Sequence, residues 1–294
     1  MKVRVLVLER PVVAGFFVAL ILAVLSLASY SIIISIYPAL AVLAAGLAFG
    51  LLSALVAARR LFFLAGATPH AALLAALLAV LVAGGVSTHA YMLTILVTTA
   101  LVYITGYMIF SGIEPDIATS VLVSLSASTS VILAYYAKTS SSGADIATIV
   151  FGDPLLVRPW DAWMAVAISL ATCILVVLSY KEQVYIGIER DLAKITGMPV
   201  WLYDLVFFTL IGVVVSAMVQ VVGFVLEHVL ILLPGAAASM YARSAREAIL
   251  LSVSSAIIAA GLGLVLSLVL GISPAGATGL VMLSIYVALV ARSR

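Results

Sequence analysis

Apolar runs about twenty residues long recur from one end of the chain to the other, separated by short polar breaks. A backbone in lipid must satisfy every N–H and C=O internally, so runs of this length fold as transmembrane helices. They fall at about 12–36, 38–58, 69–86, 90–110, 117–138, 160–180, 200–221, 222–240, 248–270 and 275–291. The expected fold is all-α: a polytopic transmembrane protein of about ten spans. Only 9% of the 294 residues are charged, against about 25% in a soluble domain. No polar stretch is long enough to fold by itself, so residues 1–294 read as a single transmembrane domain.

Lysine and arginine placement orients the spans. With the N-terminus in the cytoplasm, the inner segments hold Lys2, Arg4, Arg10, Arg59, Arg60, Lys181, Arg190, Lys194, Arg243, Arg246, Arg292 and Arg294. The outer segments hold only Lys138 and Arg158. Both termini are then cytoplasmic. The basic residues are spread through loops between spans, which leaves no patch for nucleic acid. Met1–Arg10 is basic, but the run after it is too long for the core of a signal peptide, so it reads as a retained first span. The single cysteine, Cys173, lies inside an apolar run and allows no internal disulfide. There is no asparagine, and Gln183 and Gln220 are the only glutamines, a thermophile tendency that says nothing of function.

Polar residues inside the spans are few. Glu227-His228 is the only adjacent acid and histidine, and apolar residues flank it on both sides. An acid and an imidazole at membrane depth are expensive and mark either a functional site or a pair satisfied by neighbouring helices. Gly223 upstream reads as a turn; Pro234-Gly235, Ala236, Ala237, Ala238 and Ser239 follow downstream. Residues adjacent on a helix point about 100° apart, so Glu227 and His228 do not chelate one ion together. Gly46 and Gly50 form a small-xxx-small pattern suited to close helix packing.

A second candidate is His70. Arg59-Arg60 is followed by apolar Leu61–Gly66, then Thr68 as a candidate N-cap and Pro69 as a first helical residue. Two readings stand. The 61–66 linker re-enters the bilayer and His70 opens a half-helix facing Glu227 across a path, a transporter device. Alternatively, the helix starts at the interface. His89 sits in a short outer loop and reads as solvated. The fifth span carries Ser124, Ser126, Ser128, Thr129 and Ser130, for packing or for an aqueous lining. The longest outer segment, 138–161, holds Asp145, Asp153 and Asp161, a mildly acidic face for a cation or a docking partner. The longest inner segment, 181–199, is the most charged part of the chain. Within it Ile188–Thr196 can form a short helix with Ile188, Leu192 and Ile195 on one face, Gly197 as C-cap and Pro199 beyond.

The later part of the chain resembles the membrane subunits of ABC importers for zinc, manganese and related metal ions. The matching residues are Phe151-Gly152-Asp153, Asp191-Leu192-Ala193 with Gly197-Met198-Pro199, Val222-Gly223, Leu233-Pro234-Gly235-Ala236-Ala237 and Ala242-Arg243. Arg59-Arg60-Leu-Phe-Phe and Pro69-His70-Ala71 look like the family's arginine-containing segment and its Ser-His-Ala motif. The resemblance covers roughly residues 38 to 291. It implies that 188–197 is a coupling helix for a cytoplasmic ATPase, with Ile188, Glu189, Asp191, Ala193 and Gly197 in that contact. It implies two copies around a central path, with an extracellular metal-binding protein delivering the ion; the acidic residues Asp145 and Asp153 are candidates for docking it. His70, Glu227 and His228 are the candidate transient metal ligands. The divalent ion is substrate, and no permanently bound cofactor is expected. Two departures stand out. The family commonly has an acid four residues before the histidine matched to His70, where this chain has Gly66, and it has small or apolar residues more often at Glu227-His228.

Other functions fit less well. No G-x-x-x-x-G-K-[ST] is present, so P-loop ATP hydrolysis belongs to a separate chain. A metal-chelate permease, of the siderophore or cobalamin type, is the alternative; it would want room for a bulky substrate rather than acid and imidazole at depth. An intramembrane metalloprotease would need a motif such as H-E-x-x-H, which is absent. A secondary transporter would leave the charged segment 181–199 unexplained.

Overall fold

The computed structural model describes residues 10–85, 87–138 and 154–293. Ten helices in it are long and apolar enough to cross a membrane. They are α1 (Arg10–Ile33), α2 (Ile36–Arg59), α3 (Phe62–Ala83), α4 (Thr88–Phe110), α5 (Pro115–Lys138), α6 (Pro159–Ile188), α8 (Val200–Val222), α9 (Phe224–Tyr241), α10 (Ala245–Leu270) and α11 (Pro274–Ser293). One short helix, α7 (Arg190–Ile195), lies between α6 and α8, and a 3-10 turn spans Pro154–Leu156. No strand occurs among the described residues. Asp145 and Asp153 lie outside them.

Local chemistry sets several boundaries. Ser35 caps α2 by accepting from Tyr37 N, Ser87 caps α4 by accepting from Ala90 N, and Ser244 caps α10 by accepting from Glu247 N. Glu247 reaches back to the Arg243 N–H at 2.8 Å. The exposed Trp160 and Trp163 at the start of α6 and Trp201 at the start of α8 suit aromatic belts at the two membrane interfaces.

The centre of the bundle is α2, α3 and α8, the most buried of the spans. Around them α1, α4, α5 and α11 turn apolar side chains outward, as helices that face lipid do. Small residues set the closest approaches. A Cβ at Gly50 would stand 2.9 Å from Val253 Cα, and one at Gly46 3.2 Å from Ala260 Cβ, so the paired glycines of α2 let α10 come near. Ser252 Oγ donates to the Gly50 carbonyl at 2.6 Å across the same contact.

Two expectations are corrected. The segment 61–66 is not a re-entrant linker, and α3 does not begin at Pro69. After Arg60, in the left-handed region at φ 58°, the chain turns at once into α3, which runs unbroken from Phe62. Thr68 is no cap; its hydroxyl donates back to the Leu64 carbonyl at 2.8 Å. Pro69 sits within the helix, tolerated because packing in a membrane bundle makes up for one missing backbone bond. The interfacial helix is also shorter than 188–196. Helix α6 continues to Ile188, the extended Glu189 breaks it, and α7 holds six residues. Gly197, at φ 81°, follows the cap at Thr196, the left-handed role expected of it.

Candidate ion path

Helices α3 and α9 bring the candidate residues together. Gly66 on α3 faces Leu232 on α9, and one turn further along His70 faces Phe224 and His228. The His70 and His228 rings stand edge to face with centroids 5.0 Å apart, and Phe224 packs on both, 5.1 Å from His70 and 4.4 Å from His228. His228 Nδ1 lies 3.0 Å from the Phe224 carbonyl, which occupies one ring nitrogen. Both histidines are partly exposed. His70 is eight residues past Phe62, a rise of about 12 Å from that end of the helix, well inside a bilayer core of about 30 Å.

The partner expected for His70 was Glu227; the ring it meets is that of His228. Glu227 is turned into the bundle, fully buried, with neither carboxylate oxygen hydrogen-bonded. The angle between adjacent helical residues forces this choice, because the face that carries His228 to α3 carries Glu227 away from it. The start of α9 gives the carboxyl some favourable helix dipole, worth about 0.3–1 kcal/mol. That is small beside the roughly 2–7 kcal/mol that burying a polar group without hydrogen bonds costs. Glu227→Met should therefore raise the melting temperature of the purified protein by a few degrees; a fall would show that the carboxyl holds a partner.

One helical turn from the histidine pair, at Gly66 and Leu232, a groove opens between α3, α5, α9 and α11, and neither histidine lines it. Its cavity of about 610 Å³ is lined in part by Phe62, Gly66, Thr119, Ser120, Ser124 and Tyr286. Of the α5 hydroxyls singled out in the sequence, Ser124 lines the groove, while Ser126 and Ser130 are buried with no hydrogen-bond partner; Thr119 and Ser120, which bond back to their own helix, also line it. Among the described residues no three His, Cys, Asp or Glu side chains converge on one point. Two imidazoles are an open, incomplete set, as suits an ion that must leave again. His89 is exposed at the start of α4, as a solvated histidine would be.

At the end of the bundle where α2 stops and α8 starts, α7 turns Leu192 and Ile195 to the outside, 46% and 81% exposed, and Ile188 at the end of α6 is 68% exposed. Ala193 is the one buried residue of α7, packed with Ile186 and Val200. The three apolar residues expected on one helix face are exposed in the single chain, but the break at Glu189 puts Ile188 on α6 and only Leu192 and Ile195 on α7. At the other end of α6, Arg158 bonds Asp161 at 2.7 and 3.2 Å. That bond and the carboxylate charge push the Arg158 guanidinium further up from its usual range. Asp161 is thus neutralised locally and adds little to an acidic docking face.

Ten membrane-length helices and a short helix outside the bundle with exposed Leu192 and Ile195 describe a multi-pass membrane protein. The chain belongs to the ABC 3 transport family, whose model matches residues 29–293. It is similar to a manganese import system permease protein, ScaB, of Streptococcus parasanguinis, 26% identical over 79% of this chain and 80% of that one. The ScaB of Streptococcus gordonii is 28% identical over 54% of this chain, which spans 55% of that protein's length. The manganese transport system membrane protein MntC of Listeria monocytogenes is 28% identical over 58% of this chain and 60% of its own. The chain thus spans little over half the length of these last two relatives. Among solved structures, PsaBC from Streptococcus pneumoniae in complex with Fab superposes with a TM-score of 0.72 at 24% identity, covering 85% of this chain and 88% of that one. An inward-facing transporter described as of the metal-chelate ABC type superposes with a TM-score of 0.72 at 16% identity, covering 96% and 99%. At these identities the two structures support the fold alone.

Proposed function

We propose that this chain is the membrane permease of an ATP-driven importer for divalent metal ions of the manganese, zinc and iron class. Two copies would enclose the path, cytoplasmic ATPase subunits would dock on the apolar face of α7, and an extracellular metal-binding protein would deliver the ion. The observation that carries this reading is the His70–His228 pair, one helical turn from the groove, on helices of a chain whose relatives are named manganese permeases. Imidazole nitrogens suit first-row divalent ions, and a second copy facing the first would offer up to two more. Arg59, Arg60, Arg190 and Lys194 gather where α2 ends and α7 lies, which supports a cytoplasmic position for that end and, with ten spans, for both termini.

The test is uptake by the reconstituted complex. His70→Ala and His228→Ala should each lower manganese and zinc uptake about tenfold or more, while the melting temperature falls only by a few degrees for the lost ring contacts, because both side chains are partly exposed. Glu227 takes no part in the first contact with the ion. Uptake by the His70→Ala, His228→Ala double variant at the wild-type rate would end this reading of the path. Uptake of a ferric chelate in preference to the bare ions would favour the chelate alternative.

A further inference from the structure

The coupling segment is tied to the bundle through one buried carboxylate that the sequence did not single out. Asp204, one turn into α8, accepts from Arg59 at the end of α2 at 2.6 Å. It also accepts from both terminal nitrogens of Arg190, the first residue of α7, at 2.5 and 3.0 Å. The Arg59 and Asp204 side chains are 4% and 10% exposed, and that of Arg190 is 32% exposed. The Arg59 guanidinium lies 5.3 Å from the centre of the Phe207 ring, and that of Arg190 lies 4.2 Å from the Phe110 ring at the end of α4. Three helices and the coupling segment therefore meet at this cluster. Among the described residues Arg190 makes the one ion pair that leaves α7; Lys194 pairs with Asp191 inside α7 itself.

We propose that the Arg190–Asp204–Arg59 clamp is the positioning device that carries movement of α7 into the ion path. This rests on the reading of α7 as the ATPase-docking segment and adds the route inward from it. A bidentate guanidinium–carboxylate pair fixes direction as well as distance, so α7 cannot shift at its first residue without moving Asp204. From the clamp two stiff connections lead to α9. Helix α8 runs unbroken from Asp204 to Gly223 and turns there directly into α9, which bears His228. Helix α2 runs back from Arg59 to Ser53, whose Oγ accepts from the Gly235 N–H of α9 at 2.7 Å. The end of α6 adds a fixed point, since Gly187 lets its backbone lie against Ala58, next to Arg59. A displacement of α7 would thus reach α9 at two places, on either side of the helix that holds one of the path histidines.

Asp204 itself is a poor test residue, because its loss strands two cations. Arg190 is better placed: Arg190→Gln removes both bonds to α7 and leaves the Arg59–Asp204 pair intact, and Arg190→Lys keeps the charge without the fork. Both would be made in the permease–ATPase complex, reconstituted with manganese-loaded binding protein, with Lys194→Gln as a control on the same helix. In Arg190→Gln the complex should copurify and melt within a few degrees of wild type. Basal ATP hydrolysis should stay within twofold, while stimulation by the loaded binding protein should drop at least fivefold. Arg190→Lys should fall between, and Lys194→Gln should behave as wild type. Unchanged stimulation in Arg190→Gln would overturn the proposal, as would a parallel loss of basal and stimulated hydrolysis. Separately, Ile195→Asp should release the ATPase from the complex; if it does not, the docking reading of α7 fails, whatever Arg190 does.

Discussion

Gly235→Val should leave no folded permease. Gly235 follows Pro234 inside α9, and its N–H donates to Ser53 Oγ of α2 at 2.7 Å. That bond requires the two backbones almost to touch. A side-chain carbon at Gly235 would overlap the Ser53 carbonyl, lying 2.6 Å from its carbon and 2.7 Å from its own hydroxyl oxygen. These are mainly backbone atoms of a helix packed on all sides, so they cannot step aside as a side chain could. Overpacking a core usually costs about 1–3 kcal/mol where side chains can yield; here the helices themselves must part, and the loss exceeds that range. Gly235→Ala should already lower the melting temperature sharply, and Gly235→Val should give aggregated material on size-exclusion chromatography. Gly276, in the first turn of α11, is the control, since a Cβ there meets nothing within 4 Å. Gly276→Ala should match wild type or exceed it slightly, as alanine is the better helix former by about 1 kcal/mol. A monodisperse Gly235→Val protein with wild-type melting would mean that α2 and α9 are not in contact as described.

The same contact shows which parts of the molecule could be read from sequence. The spans were legible because membrane helices need an unbroken apolar length, and length survives without any knowledge of neighbours. Gly197 was legible for a similar reason: a glycine after a short amphipathic stretch is a local signal. The start of α3 was not. Thr68-Pro69 has the local chemistry of a helix start, but Thr68 bonds back to Leu64 and the proline is accommodated by tertiary packing, which a local pattern does not contain. The partner of His70 was missed for a geometric reason. Two ligand candidates adjacent on α9 differ by about 100° in direction, and only the packing of α3 on α9 selects His228. Asp204 drew no attention because an acid four residues into an apolar span near an interface looks ordinary. Its partners lie 145 and 14 positions away, so the clamp becomes visible only when α2, α7 and α8 are placed together.

Asp204→Ala should be the most destabilising loss of a single charged group in the protein. Removing one partner of a buried ion pair costs about 3–5 kcal/mol, because the other charge stays behind without compensation. Here two guanidiniums would be left side by side, and the Arg59 side chain is only 4% exposed and has little access to water. The Phe207 ring offers Arg59 a weak substitute, about 0.5–2 kcal/mol, too little to replace a charge-assisted bond. The expected result is a fall in melting temperature on the order of ten degrees, with loss of material during purification. Adding Arg59→Met should recover most of that stability. The methionine removes the stranded charge and fills similar volume, and Arg190, about a third exposed, can turn its guanidinium to water. Stability would then return without the connection from α7 to α2 and α8, so the doubly substituted permease should bind its ATPase yet respond weakly to the loaded binding protein. Melting of Asp204→Ala at the wild-type temperature would show that Arg59 reaches solvent and that the carboxylate does not hold these helices together.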